Sequence, residues 1–264
     1  MTNRPKLIPR ISKNKQEQGK FPRIVTLDIE TTFALAEVFR TGEQRIDIKR
    51  IVEPSQISMI GIKHYQQKKA QILSARTLGY VGMLNAMWTV LDEAEIIITF
   101  NGNSFDIPWI MGAFMEAGIT PPSPFISIDL YRVSKRGRYM SHKLDYLCQI
   151  FGIGEKMKHE GAELWSSVRK GDDKAWIKME KYCMQDVVIT ENLLDYLGPW
   201  IKNFPNLSQW SNQHGCFRCG SKNLLEAGWH RTSITAYARL QCKDCGAWNR
   251  LTHNKNRLVT RSIS

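Results

Sequence analysis

No apolar run in the sequence approaches the length of a membrane span, and its first residues lack the apolar stretch of a signal peptide. These two absences set aside membrane and secreted classes, and the expectation is a soluble, cytoplasmic chain. No internal repeat is present, which excludes a solenoid. Cysteine is sparse, with six among 264 residues, and without an export signal a disulfide framework is not expected. Acid is scarce at both ends. Residues 1–23 carry seven Lys or Arg against one Glu, and residues 214–264 carry nine against two acids, within a total net charge of +12. The stretch between them is left at −1. A near-neutral body with basic extensions suits a polyanionic partner, because Lys and Arg contacts to phosphate supply most non-specific nucleic-acid affinity. Residues 1–20 taken alone also suit a solubilising tail.

What is present is enough for a packed core: 42% of residues are hydrophobic and 10% aromatic. The length fits one domain with a small appendage. Residues 1–20 are polar, basic and aperiodic, and read as a flexible arm. A strand follows at 22–28, then a mixed stretch at 33–55 that reads as a loop or an extra hairpin. Ile57–Tyr65 and Ala70–Arg76 read as two more strands joined by a short polar turn, so an antiparallel meander is expected. The pattern then alternates. Helical spacing over Tyr80–Leu91 precedes a strand at 96–100, a helix through Ile107 and Phe114, a strand at 125–130 and a helix from Leu144 to Phe151. A long helix starts at about Asp172, with the stripe Trp176, Met179, Cys183, Val187, Thr190, Leu194 and Leu197. Cys148 and Cys183 fall inside helical patterns as small core residues. The predicted organisation is an α/β body over 21–200, a linker at 201–213 and a small module over 214–264, the body being a mixed sheet flanked by helices.

The centre of the chain is Ile24-Val25-Thr26-Leu27-Asp28-Ile29-Glu30-Thr31. Side chains at i and i+2 of a strand project together, so Asp28 and Glu30 share a face. Two close carboxylates repel, and a divalent cation between them removes the repulsion; hard ions such as Mg²⁺ or Mn²⁺ prefer oxygen ligands. By itself the pair also suits a turn cap beside a solvated glutamate. Asp106 follows Asn101-Gly102-Asn103-Ser104-Phe105 where a strand gives way to a helix. That is a usual place for ligands in α/β sheets and equally a usual place for an N-cap. On the long helix, Tyr182 and Asp186 are four residues apart, share a face and border the apolar stripe.

Taken together, Asp28-x-Glu30, Asn101-x-x-x-Phe105-Asp106 and Tyr182-x-x-x-Asp186 resemble the three exonuclease motifs of the DEDD superfamily, over about residues 22–200. The Tyr four residues before the last Asp matches the DEDDy branch; the DEDDh branch would have His at the position held here by Lys181. The resemblance implies a ribonuclease H-like fold and metal-dependent removal of nucleotides from 3′ ends. It further implies that Asp28 bridges two Mg²⁺ or Mn²⁺ ions, that Glu30 and Asp186 complete one site, and that Asp106 holds the other partly through water. Tyr182 would orient the attacking water, since a phenol with a pKa near 10 is a poor base at neutral pH. By the same analogy Thr31, Asn101 and Phe105 line the pocket for the terminal nucleotide, Phe105 being equally suited to the core. Residues 135–143, with Arg138 and Lys143, read as a phosphate-contacting loop or a solvated basic loop.

The C-terminal module carries Cys216-x-x-Cys219 and Cys242-x-x-Cys245, each pair followed by Gly. Two such knuckles read as a four-thiolate structural zinc site of the ribbon kind, closed to catalysis; His214, His230 and His253 are not expected as ligands. Between the knuckles, Trp229, Arg231, Tyr237 and Arg239 combine aromatics for stacking on unpaired bases with cations for phosphate, while some of them must serve the small core. The ribbon also suits a replication or repair protein partner. The expected function is therefore a two-metal 3′→5′ exonuclease, with single-stranded DNA favoured over RNA. The alternatives are a non-catalytic nucleic-acid-binding or recruitment protein on a nuclease fold, and a structure-specific endonuclease or exoribonuclease using the same site.

Overall fold

The computed structural model describes residues 21–157, 161–210 and 215–251. The expected arm at 1–20 and the residues His214 and His253 lie outside them. Two compact units divide the described chain, one from Arg23 to Leu194 and one from Asp195 onward.

The first unit is built on β1 (Ile24–Thr31), whose β-branched residues are buried on both faces of a sheet. A small hairpin, β2 (Leu35–Ala36) with β3 (Ile51–Glu53), fills the stretch at 33–55. Arg169 ties it down by donating to the Phe33 carbonyl at 3.2 Å and pairing with Glu53. The meander then returns through β4 (Ile57–His64) and β5 (Gln71–Ser74). After α1 (Ala75–Leu78) and α2 (Tyr80–Glu93), β6 (Ile96–Thr99), α3 (Asp106–Glu116) and β7 (Ile126–Asp129) alternate. The sheet order is β5-β4-β1-β6-β7, antiparallel on one side of β1 and parallel on the other. This is the expected mixed sheet of ribonuclease H-like type.

Helices α4 (Leu130–Ser134), α5 (Leu144–Phe151), α6 (Ala162–Arg169) and α7 (Asp173–Leu197) complete the unit. The sequence pattern did not announce α1, α4 or α6; α1 and α4 are only four and five residues long, too short to show a helical period. One core cluster joins Leu27, Ile29, Ile60 and Ile62 to Met83, Met87, Ile110 and Phe114. A second joins Met59 to Leu164, Val168, Met179, Tyr182 and Cys183. Gly61 makes the second possible. A Cβ there would come within 2.8 Å of the Cys183 sulfur and 3.1 Å of its carbonyl oxygen, so the missing side chain lets α7 press against the strand opposite Asp28. No helix among the described residues is long and apolar enough to cross a membrane.

The second unit carries a three-stranded sheet: β8 (Leu224–Arg231), β9 (Ala236–Cys242) and β10 (Trp248–Arg250), in the order β10-β9-β8 and antiparallel throughout. Ahead of it, two short 3₁₀ turns at Gly198–Trp200 and Leu207–Trp210 bring Ile201, Phe204 and Leu207 into buried positions.

Candidate active site and metal centres

Strand β1 delivers Asp28 and Glu30 to one face, as the alternation requires. Its register against β4 shifts between Glu30 and Thr31, a bulge at the edge of the site that leaves Thr31 half-buried at the strand end. The carboxylate oxygens of Asp28 and Glu30 and the sulfur of Cys183 lie within 4.8 Å of one another, close enough to share an ion. Asp106 is the first residue of α3 rather than its cap, and its Oδ1 accepts the Ile29 amide at 2.9 Å. It thereby joins the start of α3 to β1 between the two motif acids. Asp186, one turn beyond Tyr182 on α7, is 4% exposed.

The electrostatics follow from this crowding. Burial, then repulsion from Asp106, Glu30 and Asp186, pushes the Asp28 carboxyl well above its usual range. Burial lifts Glu30 to about 8, with Asp186 adding to the rise and Lys156 opposing it. Burial lifts Asp106 to about 7 against the backbone hydrogen bonds it accepts. Four crowded acids against a single lysine leave an excess of negative charge, and the donor set suits hard divalent cations. Asp28 and Glu30 are within shared-ligand distance, whereas Asp106 and Asp186 are turned to the Ile29 amide and to Lys156.

Lys156 is the residue that motif reasoning missed. Its Nζ lies 2.6 Å from Asp186 Oδ2 and 3.1 Å from the Tyr182 hydroxyl, over the face of the Tyr182 ring. It sits between α5 and α6, where no fixed offset ties it to any motif and Lys158, Arg169 and Lys170 stand nearby in sequence, so nothing in the sequence singled it out. Tyr182 is buried, its ring edge-on to Trp165, and burial followed by the Asp186 charge pushes its hydroxyl up to about 12. It is therefore a protonated phenol, fit to orient and unfit to act as a base at neutral pH.

A cavity of about 560 Å³ is lined by Asp28 and Asp186 of the four acids, with Lys135, His142, Lys143 and Lys156 around it. Asn101 also lines it, in the left-handed conformation (φ 67°) that Asn tolerates better than most residues. Asp129, buried at the end of β7, holds that turn by accepting the amides of Asn101 at 2.8 Å and Asn103 at 3.3 Å. Of the expected phosphate-loop pair, Lys143 lines the cavity, whereas Arg138, exposed on the loop before α5, does not. Phe105 is 41% exposed against Trp109, so it is not plain core.

In the second unit the four knuckle sulfurs cluster within 4.8 Å, with 3.6 Å between Cys216 and Cys245 and 3.7 Å between Cys219 and Cys242. A tetrahedral ion with bonds of about 2.3 Å to sulfur spaces its ligands at about 3.8 Å, so the cluster fits a four-thiolate metal site. Gly220 and Gly246 take φ of +70° and +72° and donate back to the carbonyls of Cys216 and Cys242, which is why glycine follows each knuckle. Arg218, 2% exposed, stacks over Phe204 and Phe217 and places a cation beside the sulfurs. His230 lies on β8, away from the cluster.

The expected aromatic–arginine group is divided by strand register. Residues paired across β8 and β9 put His230 opposite Tyr237, but Trp229 opposite Ala238 and Arg231 opposite Ala236. Directly opposed residues share a face. Tyr237 and Arg239 are therefore on one face, and Trp229 and Arg231 on the other. The register shift between Glu226 and Trp229 is what sequence spacing could not reveal.

A family model for the RNase_H superfamily matches residues 48–198. No curated protein sequence matches the chain. Among solved structures, the family B DNA polymerase of the hyperthermophilic archaeon Pyrobaculum calidifontis is similar, with 18% identity and a TM-score of 0.52. The likeness covers 67% of this chain and 25% of the polymerase, so the chain spans about a quarter of that protein. At that identity the likeness speaks for the fold: the same kind of mixed sheet that here brings Asp28, Glu30, Asp106 and Asp186 together. With the family match extending over more than half of its length, the chain belongs to the RNase H superfamily.

Proposed function

We propose that this protein is a metal-dependent 3′→5′ exonuclease acting inside the cell on single-stranded ends, DNA in preference to RNA. The body at 21–200 would carry the chemistry, and the ribbon at 214–264, closed by one structural Zn²⁺ on Cys216, Cys219, Cys242 and Cys245, would hold the strand. The observation that carries the reading is the convergence of four mutually repelling acids from β1, α3 and α7, two of which, Asp28 and Asp186, line one cation-rimmed cavity, with Tyr182 beside them. A protein that merely binds nucleic acid gains nothing from such mutually repelling carboxylates.

Asp28, Glu30, Asp106 and Asp186 would hold two Mg²⁺ or Mn²⁺ ions, which when bound activate water and stabilise the leaving 3′ oxygen. The chain's own groups supply the rest. Tyr182 and Lys156 present two donors 3.1 Å apart beside Asp186 and would orient the attacking water. Lys135 and Lys143 would neutralise the phosphates of the incoming strand, and Asn101, Phe105 and Thr31 would bound the terminal nucleotide.

The Lys156–Asp186 ion pair favours a second reading, in which Lys156 replaces an ion and the site binds without cutting. Incubation with 5′-labelled linear, 3′-blocked and circular strands of DNA and RNA in Mg²⁺ or Mn²⁺ separates the cases. An exonuclease shortens the free linear strand in single-nucleotide steps, releases mononucleotides and spares the circle. Cutting of the circle marks an endonuclease, and binding without cutting marks the second reading.

A further inference from the structure

The ribbon's sheet has one face with a composition unlike the rest of the unit. Across β9 and β10, Arg250 is opposite Arg239 and Trp248 is opposite Gln241, so Tyr237, Arg239, Trp248 and Arg250 all project to the same side. Two diagonal stacks result. The Arg239 guanidinium lies 4.6 Å from the Trp248 ring centroid, and the Arg250 guanidinium lies 4.7 Å from that of Tyr237. Arg239 is further fixed by donating from Nε to the Ala227 carbonyl at 2.9 Å. His230 stands opposite Tyr237 on the same side.

Arg239, Trp248, Arg250 and His230 border a groove of about 820 Å³ that Lys202 also lines, and no Asp or Glu is among the residues lining it. Trp248 remains 52% exposed. A small module can afford so large an exposed aromatic when the ring meets something else. On the other face Asn249 points from β10 to the knuckles, accepting the Phe217 amide at 2.8 Å and donating to the Cys216 sulfur.

We propose that the face formed by Tyr237, Arg239, Trp248 and Arg250 is a stacking platform for a single strand of nucleic acid, and that Trp229 and Arg231 take no part in it. The proposal rests on the nuclease reading for its class of ligand. The chemistry fits that ligand closely. Unpaired bases stack on aromatic rings and on guanidinium planes without regard to sequence, and the same guanidinium edges reach phosphate. Arginines already seated on rings lose little freedom on binding, so the platform is built before the strand arrives. A duplex, whose bases are stacked on one another, offers these rings no flat face.

The test uses the full-length, zinc-loaded chain without added Mg²⁺ or Mn²⁺, and measures fluorescence anisotropy of labelled dT and rU 20-mers and of a duplex across a salt series. Trp248→Leu should weaken single-strand binding about ten-fold or more, the size of one base stack. Arg250→Gln should lower the salt slope by roughly 0.7, one phosphate contact. Trp229→Leu should change affinity less than two-fold, and duplex affinity should be insensitive to Trp248→Leu. Zinc content of each variant, unchanged at one per chain, shows that the ribbon is intact. Unchanged single-strand affinity in Trp248→Leu, or equal losses in Trp248→Leu and Trp229→Leu, overturns the proposal. In a separate assay with Mn²⁺ added, hydrolysis of a nitrophenyl ester of thymidine monophosphate, too small to reach a platform, reports the body. Turnover of that ester together with Trp248-independent binding sinks the platform and keeps the nuclease; Trp248-dependent binding without turnover supports the platform and sinks the nuclease.

Discussion

The two units use charge in opposite ways. The body nets −1 yet packs Asp28, Glu30, Asp106 and Asp186 into one place, at a cost that shows in the raised pKa values of Asp28, Glu30 and Asp106. The C-terminal 51 residues carry nine Lys or Arg against two acids, with Arg231, Arg239 and Arg250 placed on strands, while the thiols cluster at the knuckles. The body is organised around a defect in stability that an ion would repair, and the ribbon around a site that an ion would hold together. Chemistry needs the first arrangement and grip needs the second. If that contrast is right, changes in the body should alter rate with little effect on affinity, and changes in the ribbon should do the reverse.

The sharpest break comes from the acids. Asp186→Ala or Asp28→Asn should reduce cleavage in Mg²⁺ at least about a thousand-fold, since an ion ligand contributes several kcal/mol to the transition state. The same Asp28→Asn change removes a carboxyl whose ionised form its acidic neighbours repel. It should therefore raise the melting temperature of the ion-free protein by about 3–8 °C, the shift that 1–2 kcal/mol produces in a chain of this size. Loss of activity together with a gain in stability is the signature of a site built against its own fold. A variant that loses both would make Asp28 an ordinary structural acid. Gel-based cleavage and calorimetry read the two quantities.

Next come the donors. Tyr182→Phe keeps the ring that packs against Trp165 and removes the hydroxyl that Lys156 reaches. A fall of about ten- to a thousand-fold in rate at saturating substrate is expected, with Kd unchanged. Lys156→Met should fall in the same range. If Lys156→Met instead cleaves faster, the lysine is a stand-in for an ion and the ion-replacement reading of the Lys156–Asp186 pair gains.

How far the sequence revealed this site depends on which distances are set by a single element. Asp28 and Glu30 are two residues apart on a strand, and Tyr182 and Asp186 four apart on a helix; periodicity places them before any fold is known. The same holds for each Cys-x-x-Cys knuckle, whose turn is local. Lys156 was invisible because its meeting with Asp186 spans thirty residues and depends on how the chain between α5 and α6 is laid down. The division of Trp229 and Arg231 from Tyr237 and Arg239 was invisible for a related reason. One irregularity in β8 reverses which side chains share a face, and no composition records it. Gly61 teaches the converse: a glycine inside a strand reads as a weakness until the helix pressed against it is seen.

The ribbon gives the third test. Truncation after about Ser211 removes the knuckles and their charge but none of the four acids. Rate at saturating substrate should survive, while affinity for long single strands falls about ten- to a hundred-fold. The salt slope should drop by roughly 0.7 for each phosphate that the ribbon had neutralised. Cys216→Ser, which takes one sulfur from the cluster, should imitate the truncation and lose its zinc, because a module this small is not expected to hold its fold without the metal. Identical affinity and slope in the truncated and full-length proteins would mean that the ribbon meets a protein partner instead.

The smallest effect is the most specific to the body. Glu30 rises from 4.5 to about 8 and Asp106 from 3.8 to about 7, chiefly through burial. Below the unfolded value both states hold the proton and no penalty exists. As pH rises through the window between the two values, the unfolded chain releases the proton while the folded chain keeps it, so stability without ions declines. Above the folded value the loss is complete, on the order of a few kcal/mol for Glu30. A divalent ion takes the ionised carboxylates, so the rise in melting temperature on adding Mn²⁺ should be larger at about pH 8 than at about pH 5.5. The sulfur cluster of the ribbon also responds to pH, and Glu30→Gln in the same buffers removes that contribution by difference. The variant should lose most of the pH dependence that separates it from the native protein, and most of the Mn²⁺ shift with it. An Mn²⁺ shift equal at both pH values, and equal in Glu30→Gln, would mean that Glu30 is ionised throughout. The contrast between a body strained by its charges and a ribbon built from them would then have to be abandoned.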